Sequence, residues 1–161
     1  MADALQSPMV EGLNRQFVEA FKTRNFSAVA QMFTDDAVML PPRNNIITGK
    51  SNIQSFWTRA TRIREVKFDT DSLAALGGDV VREIGKFRMR VERPVDPETG
   101  GESGPGSARA GQARSREILG KYVFLWRNIN GDWKLETSIW NRNKPEGQGR
   151  RQRRRRPGSG E

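Results

Sequence analysis

Glu83, Tyr122, Glu136 and Ser138 are the side chains whose type and placement suit chemistry inside a folded domain. A Glu walled in by apolar groups has its pKa raised by desolvation, by up to a few units, and can then exchange protons near neutral pH. A buried Tyr hydroxyl can donate to a developing oxyanion. Glu136, Glu83 and Tyr122 are therefore the candidate catalytic residues. The competing expectation is that either Glu pairs with a neighbouring Arg or Lys. The chain has 0 His and 0 Cys, so the commonest neutral-pH base, the commonest transition-metal ligand and any disulfide are excluded. No Gly-rich phosphate loop, metal-ligand cluster or nucleophile with a nearby base is visible. No cofactor and no metal are expected. Asp35-Asp36 is a paired carboxylate, read as solvated chemistry at a helix-to-strand corner.

A second kind of chemistry sits at the end of the chain. RRQRRRR supplies Arg150, Arg151, Arg153, Arg154, Arg155 and Arg156, which can neutralise phosphates and bind nucleic acid or another polyanion. It has no interleaved aromatic on which a base could stack. The formal charge is +9; residues 142–161 hold 8 Lys/Arg and 2 Glu, a net of +6, leaving 9 − 6 = +3 for residues 1–141. The basic character belongs to the tail more than to the domain. A chain of 161 residues is one domain with appendages. It shows neither a secretion signal nor an apolar run near the roughly 20 residues of a membrane span. A cytoplasmic protein without membrane contact is expected.

The elements that position the candidates follow from periodicity. Val10, Leu13, Phe17, Val18 and Phe21 recur at helical spacing, predicting a helix over 9–23 after a flexible N-terminus, 1–8. Asn25 can cap a short second helix carrying Phe26, Val29, Ala30, Met32 and Phe33. Ala37 to Leu40 reads as a strand stopped by Pro41-Pro42, Ile46-Ile47 as a short return strand, and 51–61 as a third helix burying Ile53, Phe56, Trp57 and Ala60. The period then changes from 3.6 to 2. Residues 66–71 alternate, Gly77-Gly78 turns, and Glu83, Gly85, Phe87 and Met89 share a strand face opposite Arg82, Lys86, Arg88 and Arg90. Residues 92–116 are rich in Pro and Gly with one branched apolar residue, Val95, and read as a flexible insertion. The domain therefore spans 9–141, and 142–161 is an Arg-rich tail expected to be disordered.

Two final strands, 117–127 and 132–141, flank N-I-N-G. Read as a type I turn with Gly131 as a bulge residue, this hairpin sets Phe124 near Glu136 and Tyr122 near Ser138. One face then carries Tyr122, Phe124, Trp126, Glu136, Ser138 and Trp140. The other carries Leu119, Val123, Leu125, Leu135 and Ile139, more apolar surface than a monomer usually exposes, so a homodimer through it is expected. A two-residue N-G turn would change this relation. Three helices followed by antiparallel strands give an α+β fold, helices segregated to one side of a curved sheet.

Three segments together carry a resemblance. They are FVEAFKTRNFSAVAQMFTDDAVML, ITGKSNIQSFW and GKYVFLWRNINGDWKLETSIWNRN. In order and spacing they resemble the nuclear transport factor 2-like superfamily, which includes ketosteroid isomerases and SnoaL-like proteins. The Gly-x-Trp-Lys ending followed by Ile-Trp-Asn is similar to the branch known as domain of unknown function 4440. The resemblance implies a cone-shaped fold, three N-terminal helices packed on a strongly curved antiparallel sheet, with a ligand pocket in the cone. The expected pocket is Phe17, Met39, Leu40, Trp57, Phe87, Tyr122, Trp126, Glu136, Ser138 and Trp140. The isomerase groups do not carry over: Phe17 stands where a Tyr donor belongs, Pro41 where the base belongs, and Tyr122 near the place of a protonated Asp. The His residues of a dehydratase and the two inward Asp of an epoxide hydrolase are missing. The implied function is binding of a small hydrophobic molecule, with isomerase- or hydrolase-like activity left open. The alternative is a non-catalytic homodimerisation module, as this fold serves in calmodulin-dependent kinase II. A cone filled by Trp57, Trp126 and Trp140 favours the alternative.

Overall fold

The computed structural model describes residues 2–92 and 115–143, with side chains from residue 7. The expected insertion and tail thus lie largely outside the described residues. Helix α1 spans Ala2–Lys22. It begins well before residue 9 and takes in most of the stretch read as a flexible N-terminus, Pro8 included. Helix α2, Phe26–Gln31, is capped as its sequence predicts, with the Asn25 side chain accepting from the Ala28 N–H. Strand β1 covers Phe33–Leu40, β2 Ile47–Thr48, and helix α3 Lys50–Arg59. Strands β3 (Ile63–Ala75), β4 (Val80–Glu92), β5 (Ser115–Ile129) and β6 (Asp132–Arg142) complete the domain. No helix among the described residues is long and apolar enough to cross a membrane.

The six strands form one curved sheet in the order β2-β1-β6-β5-β4-β3. It is mixed rather than purely antiparallel, because β1 runs parallel to β6, with Phe33 opposite Leu135 and Leu40 opposite Ile139. Helix α1 lies along β3, while α2 and α3 pack on each other. Alternation along the strands puts Phe87, Met89, Tyr122, Phe124 and Trp126 on the concave face, beneath Phe17 and Phe21 of α1 and Trp57 of α3.

The last hairpin departs from expectation in an instructive way. Asn130 and Gly131 both have positive φ, 53° and 95°, and Ile129 pairs directly with Asp132. This is the two-residue turn that Asn-Gly favours, not the bulged one. The extra residue appears further along β6. Trp126 pairs with Leu135 and Leu125 with Thr137, so Glu136 is a β-bulge with no partner of its own. Beyond it, Phe124 faces Ser138 and Tyr122 faces Trp140. Trp126, Ser138 and Trp140 therefore point inward as expected. Leu135 moves inside and is 0% exposed. Leu119, Val123, Leu125 and Ile139 remain on the outer face, with Leu119 and Ile139 exposed.

Candidate functional site

A buried polar knot lies on the concave face. Glu83, on β4, is 0% exposed and accepts four hydrogen bonds. Asn14 Nδ2 and Thr70 Oγ1 each reach its Oε1 at 2.7 Å, the Tyr122 hydroxyl reaches the same oxygen at 2.6 Å, and Trp126 Nε1 donates to Oε2 at 2.8 Å. All four groups donate to the carboxyl, which is held as an acceptor, while the buried Asn14 Oδ1 has no partner. Burial, the negative charge of Glu83 and the hydrogen bond to it drive the Tyr122 pKa far above the ordinary phenol value. Tyr122 stays a neutral donor, its hydroxyl proton directed at Glu83. The sheet makes room for this ring: a Cβ on Gly85 would come within 2.5 Å of the Tyr122 hydroxyl oxygen and 2.4 Å of the Asp69 carbonyl oxygen.

Around the knot the concave face is filled by aromatic rings. Phe17 packs edge-on against Phe68 at 5.4 Å and Trp57 at 6.3 Å. Trp57 stacks on Trp140 at 6.3 Å, Trp140 meets Phe87 at 5.6 Å, and Phe68 meets Tyr122 at 5.2 Å. Gly120 permits this packing, since a Cβ there would lie 2.2 Å from the Phe87 ring. The space left is about 20 Å³, walled by Phe17, Trp57, Phe87, Tyr122, Ser138 and Trp140, together with Phe68, Phe124 and others. That volume suits one water molecule. It is far below the roughly 300 Å³ at which small-molecule pockets begin. The Nε1 atoms of Trp57 and Trp140 are both buried with no acceptor.

The expected pocket residues thus divide. Phe17, Trp57, Phe87, Tyr122, Ser138 and Trp140 line the cavity. Trp126 is buried beside it in the polar knot, and Met39 is buried in the core. Leu40 does not belong. Strand alternation turns it to the outer face, opposite Ile139, because Met39 takes the inward position. Glu136 does not belong either. As the bulge residue it leaves the concave face and pairs with Arg127. Glu83 is inside, with hydrogen-bonding neutral partners rather than an Arg or Lys. Asp35 is exposed and pairs with Lys50 at 2.8 Å, whose hydrogen bond and charge hold its pKa below the usual carboxylate range. Asp36 accepts from Thr34. Both are exposed, but they lie within β1, where its register against β6 shifts, rather than at a helix-to-strand corner.

Two members of the knot escaped sequence reading. Asn14 sits between Val10, Phe17 and Phe21 at spacings of four, three and seven along α1. A lone amide in an apolar helical stripe is the signal that marks it. Thr70 was placed on a strand face with Val66 and Phe68 but had no visible partner.

Known proteins share this architecture. A ketosteroid isomerase-like protein from Erwinia carotovora atroseptica superposes with a TM-score of 0.65 at 14% identity, over 84% of this chain and 94% of that one. A candidate calcium/calmodulin-dependent protein kinase II association domain from Xanthomonas campestris gives 0.65 at 17%, over 86% and 87%. A hexachlorocyclohexane dehydrochlorinase gives 0.65 at 16%, over 89% of each chain. At such identities the likeness is one of fold. No curated protein matches the sequence. The SnoaL-like domain model matches residues 14–134, a span that contains the whole polar knot and most of the aromatic fill. This chain belongs to the SnoaL-like domain family.

Proposed function

We propose that the domain serves as a non-catalytic association module, forming a homodimer through the outer face of its sheet. The observation that carries this reading is a row of directly paired apolar residues. Ile84 lies opposite Val123, Val123 opposite Ile139, and Ile139 opposite Leu40, so four strands contribute to one stripe. Leu125 and Val38 extend it on the next row through Thr137. Such a stripe on a sheet face lowers its free energy by meeting a second copy. The filled cone points the same way. Glu83 and Tyr122 are engaged with each other, and Glu136 lies outside, so none of the three expected groups is free for acid–base work. The candidate association domain among the structural neighbours supports the reading by analogy of fold.

Sedimentation velocity at micromolar protein tests it. A dimer is expected for the natural chain and a folded monomer for Val123→Asp and Ile139→Asp, with circular dichroism unchanged. A natural chain that sediments as a monomer overturns the reading.

One observation favours a second reading, binding of a small hydrophobic molecule in the cone. Trp57 and Trp140 present two buried N–H groups without an acceptor, beside an apolar cavity. An unpaired buried donor costs about 1–3 kcal/mol, which a ligand oxygen would relieve. The aromatic fill must then move to admit the ligand. The ketosteroid isomerase-like and dehydrochlorinase neighbours lend this reading the same analogy of fold.

A further inference from the structure

Three arginines converge at one rim of the concave face. Arg142, the last residue of β6, pairs with Gly120 and continues the inward series of Ser138 and Trp140. Arg116 pairs with Val91 and continues the inward series of Tyr122, Gly120 and Ile118 on β5. Arg43 lies in the turn just beyond β1, with φ 61°. Because β1 runs parallel to β6, with Leu40 beside Ile139, that turn leaves the sheet on the side where Arg142 ends β6. Partial burial, and the nearby positive charges of Arg116 and Arg43, lower the Arg142 pKa. Like charges have thus been brought together. Among the described residues no carboxylate bridges any of the three.

The next inward residue of β6 below Arg142 is Trp140, stacked on Trp57, and it is these two indoles whose N–H groups lack acceptors. Guanidinium groups with no carboxylate partner at the rim thus begin two residues along β6 from an indole whose N–H lacks an acceptor. An ordinary solvated basic patch accounts for the first and not for the second.

We propose that this end of the concave face binds an anionic oxyacid head group, a carboxylate or a phosphate monoester, carried on an apolar body that lies against Trp57 and Trp140. The inference rests on the second reading above, that the cone takes a small hydrophobic molecule, and adds the head group to it. Planar guanidinium forks match both oxyanions bidentately. The indole N–H groups supply neutral donors to an oxygen that reaches below the rim. Neither residue set brings a carboxylate for a cation.

The test uses the full chain and three probes of matched carbon skeleton: 3-phenylpropionate, 3-phenylpropyl phosphate and 3-phenylpropanol. Indole fluorescence reads binding, because two of the 4 Trp form the site. The expected result is that at least one acid binds about tenfold or more tighter than the alcohol. The tighter of the two acids names the head group. The double variant Arg116→Gln, Arg142→Gln should bring that acid to the alcohol's affinity; both positions are exposed, and circular dichroism checks the fold. Equal binding of acids and alcohol overturns the anion site and leaves the small-molecule reading standing. So does an acid preference that survives in the double variant, above all if it disappears in a chain ending at Asn143, which assigns it to the tail. If no probe binds at millimolar concentration, the proposal and the small-molecule reading fall together.

Discussion

Tyr122 is the chain's 1 Tyr, and that makes its surroundings directly measurable. Its folded pKa is raised by burial and by Glu83. The stability it contributes is therefore complete below the unfolded phenol's value of about 10 and declines as pH rises above it. Over that range the unfolded chain releases a proton that the folded chain keeps, so stability falls by about 1.4 kcal/mol per pH unit. Tyrosinate absorbance should be absent from the native protein at pH 11 and appear only as it unfolds; a native phenol titrating near 10 would refute the Glu83 knot. Glu83→Gln replaces an all-acceptor group by one that brings its own N–H to a ring of donors. It should destabilise by about 1–3 kcal/mol in urea titration. Gly85→Ala and Gly120→Ala should each cost about 1–3 kcal/mol or more, since the nearest atoms to the added Cβ include backbone carbonyl oxygens that cannot swing away. A thermal midpoint unchanged by Gly85→Ala would mean that the ring does not lie over β4. At this scale the sequence was partly legible. Glu83, Tyr122 and Trp126 were placed on one wall by simple alternation. Their mutual hydrogen bonds were not, because those depend on how two strands and a helix meet, and the role of Asn14 is invisible until α1 is laid across β3.

The bulge at Glu136 is the element on which the hairpin's two halves depend. Between the turn and the bulge, Leu135 is inside; beyond it, Ser138 and Trp140 are inside. Leu135 and Ser138 are three residues apart, an odd spacing that a regular strand with a period of two would turn to opposite faces, and leaving Glu136 unpaired as a bulge keeps both inside. Deleting Glu136 leaves Leu135 and Ser138 two residues apart, so both stay inward and every cross-strand pair with β5 is kept. The deletion should straighten the strand and keep cooperative unfolding in urea. Glu136→Ala keeps the residue count and removes only a solvent-screened pair with Arg127, so it should leave the urea midpoint nearly unchanged. A deletion that abolishes cooperative unfolding would mean that Glu136 is not the extra residue. Helices, strands and the inward aromatics could be read from spacing because each repeats a period over many residues. The bulge is a single insertion into a repeating pattern, and nothing in L-E-T-S announces it. Asn-Gly favoured a two-residue turn, while the apolar alternation of the two strands favoured an even shift. The chain satisfies both by adding a residue to β6, which the two competing turn readings did not contain.

For the molecule as a whole, the net of +6 over residues 142–161 against +3 for the rest separates two surfaces that can be tested apart. The tail lies outside the described residues, and we propose that it binds polyanions independently of the domain. A chain ending at Asn143 keeps every strand of the sheet and should retain the fold while losing most affinity for an RNA oligonucleotide. The full chain's affinity should fall with salt at a log–log slope of magnitude up to about 4–5 for six arginine contacts. Anisotropy titrations at two salt concentrations measure both. Equal binding by the shorter chain would assign the site to the domain instead, at the rim of Arg43, Arg116 and Arg142 or on the β4 face, where Lys86 and Arg90 are already paired with Asp71 and Glu65. The parallel pairing of β1 with β6 bears on a different matter, the order in which the chain can fold. The Leu135 N–H donates to the Met32 carbonyl at 2.7 Å, and Phe33 waits for the same residue across the sheet. As the chain leaves the ribosome, β1 therefore has only the two residues of β2 beside it until the last strand has been made. Closing so long a loop slows folding more than it weakens the fold, since doubling a loop costs only about 0.6 kcal/mol. The residues that separate β4 from β5 in the chain lengthen that wait at little expense to stability. The nascent chain meanwhile carries Phe33, Ala37 and Met39 unsealed, and the final eleven residues of β6 close the molecule in one late step.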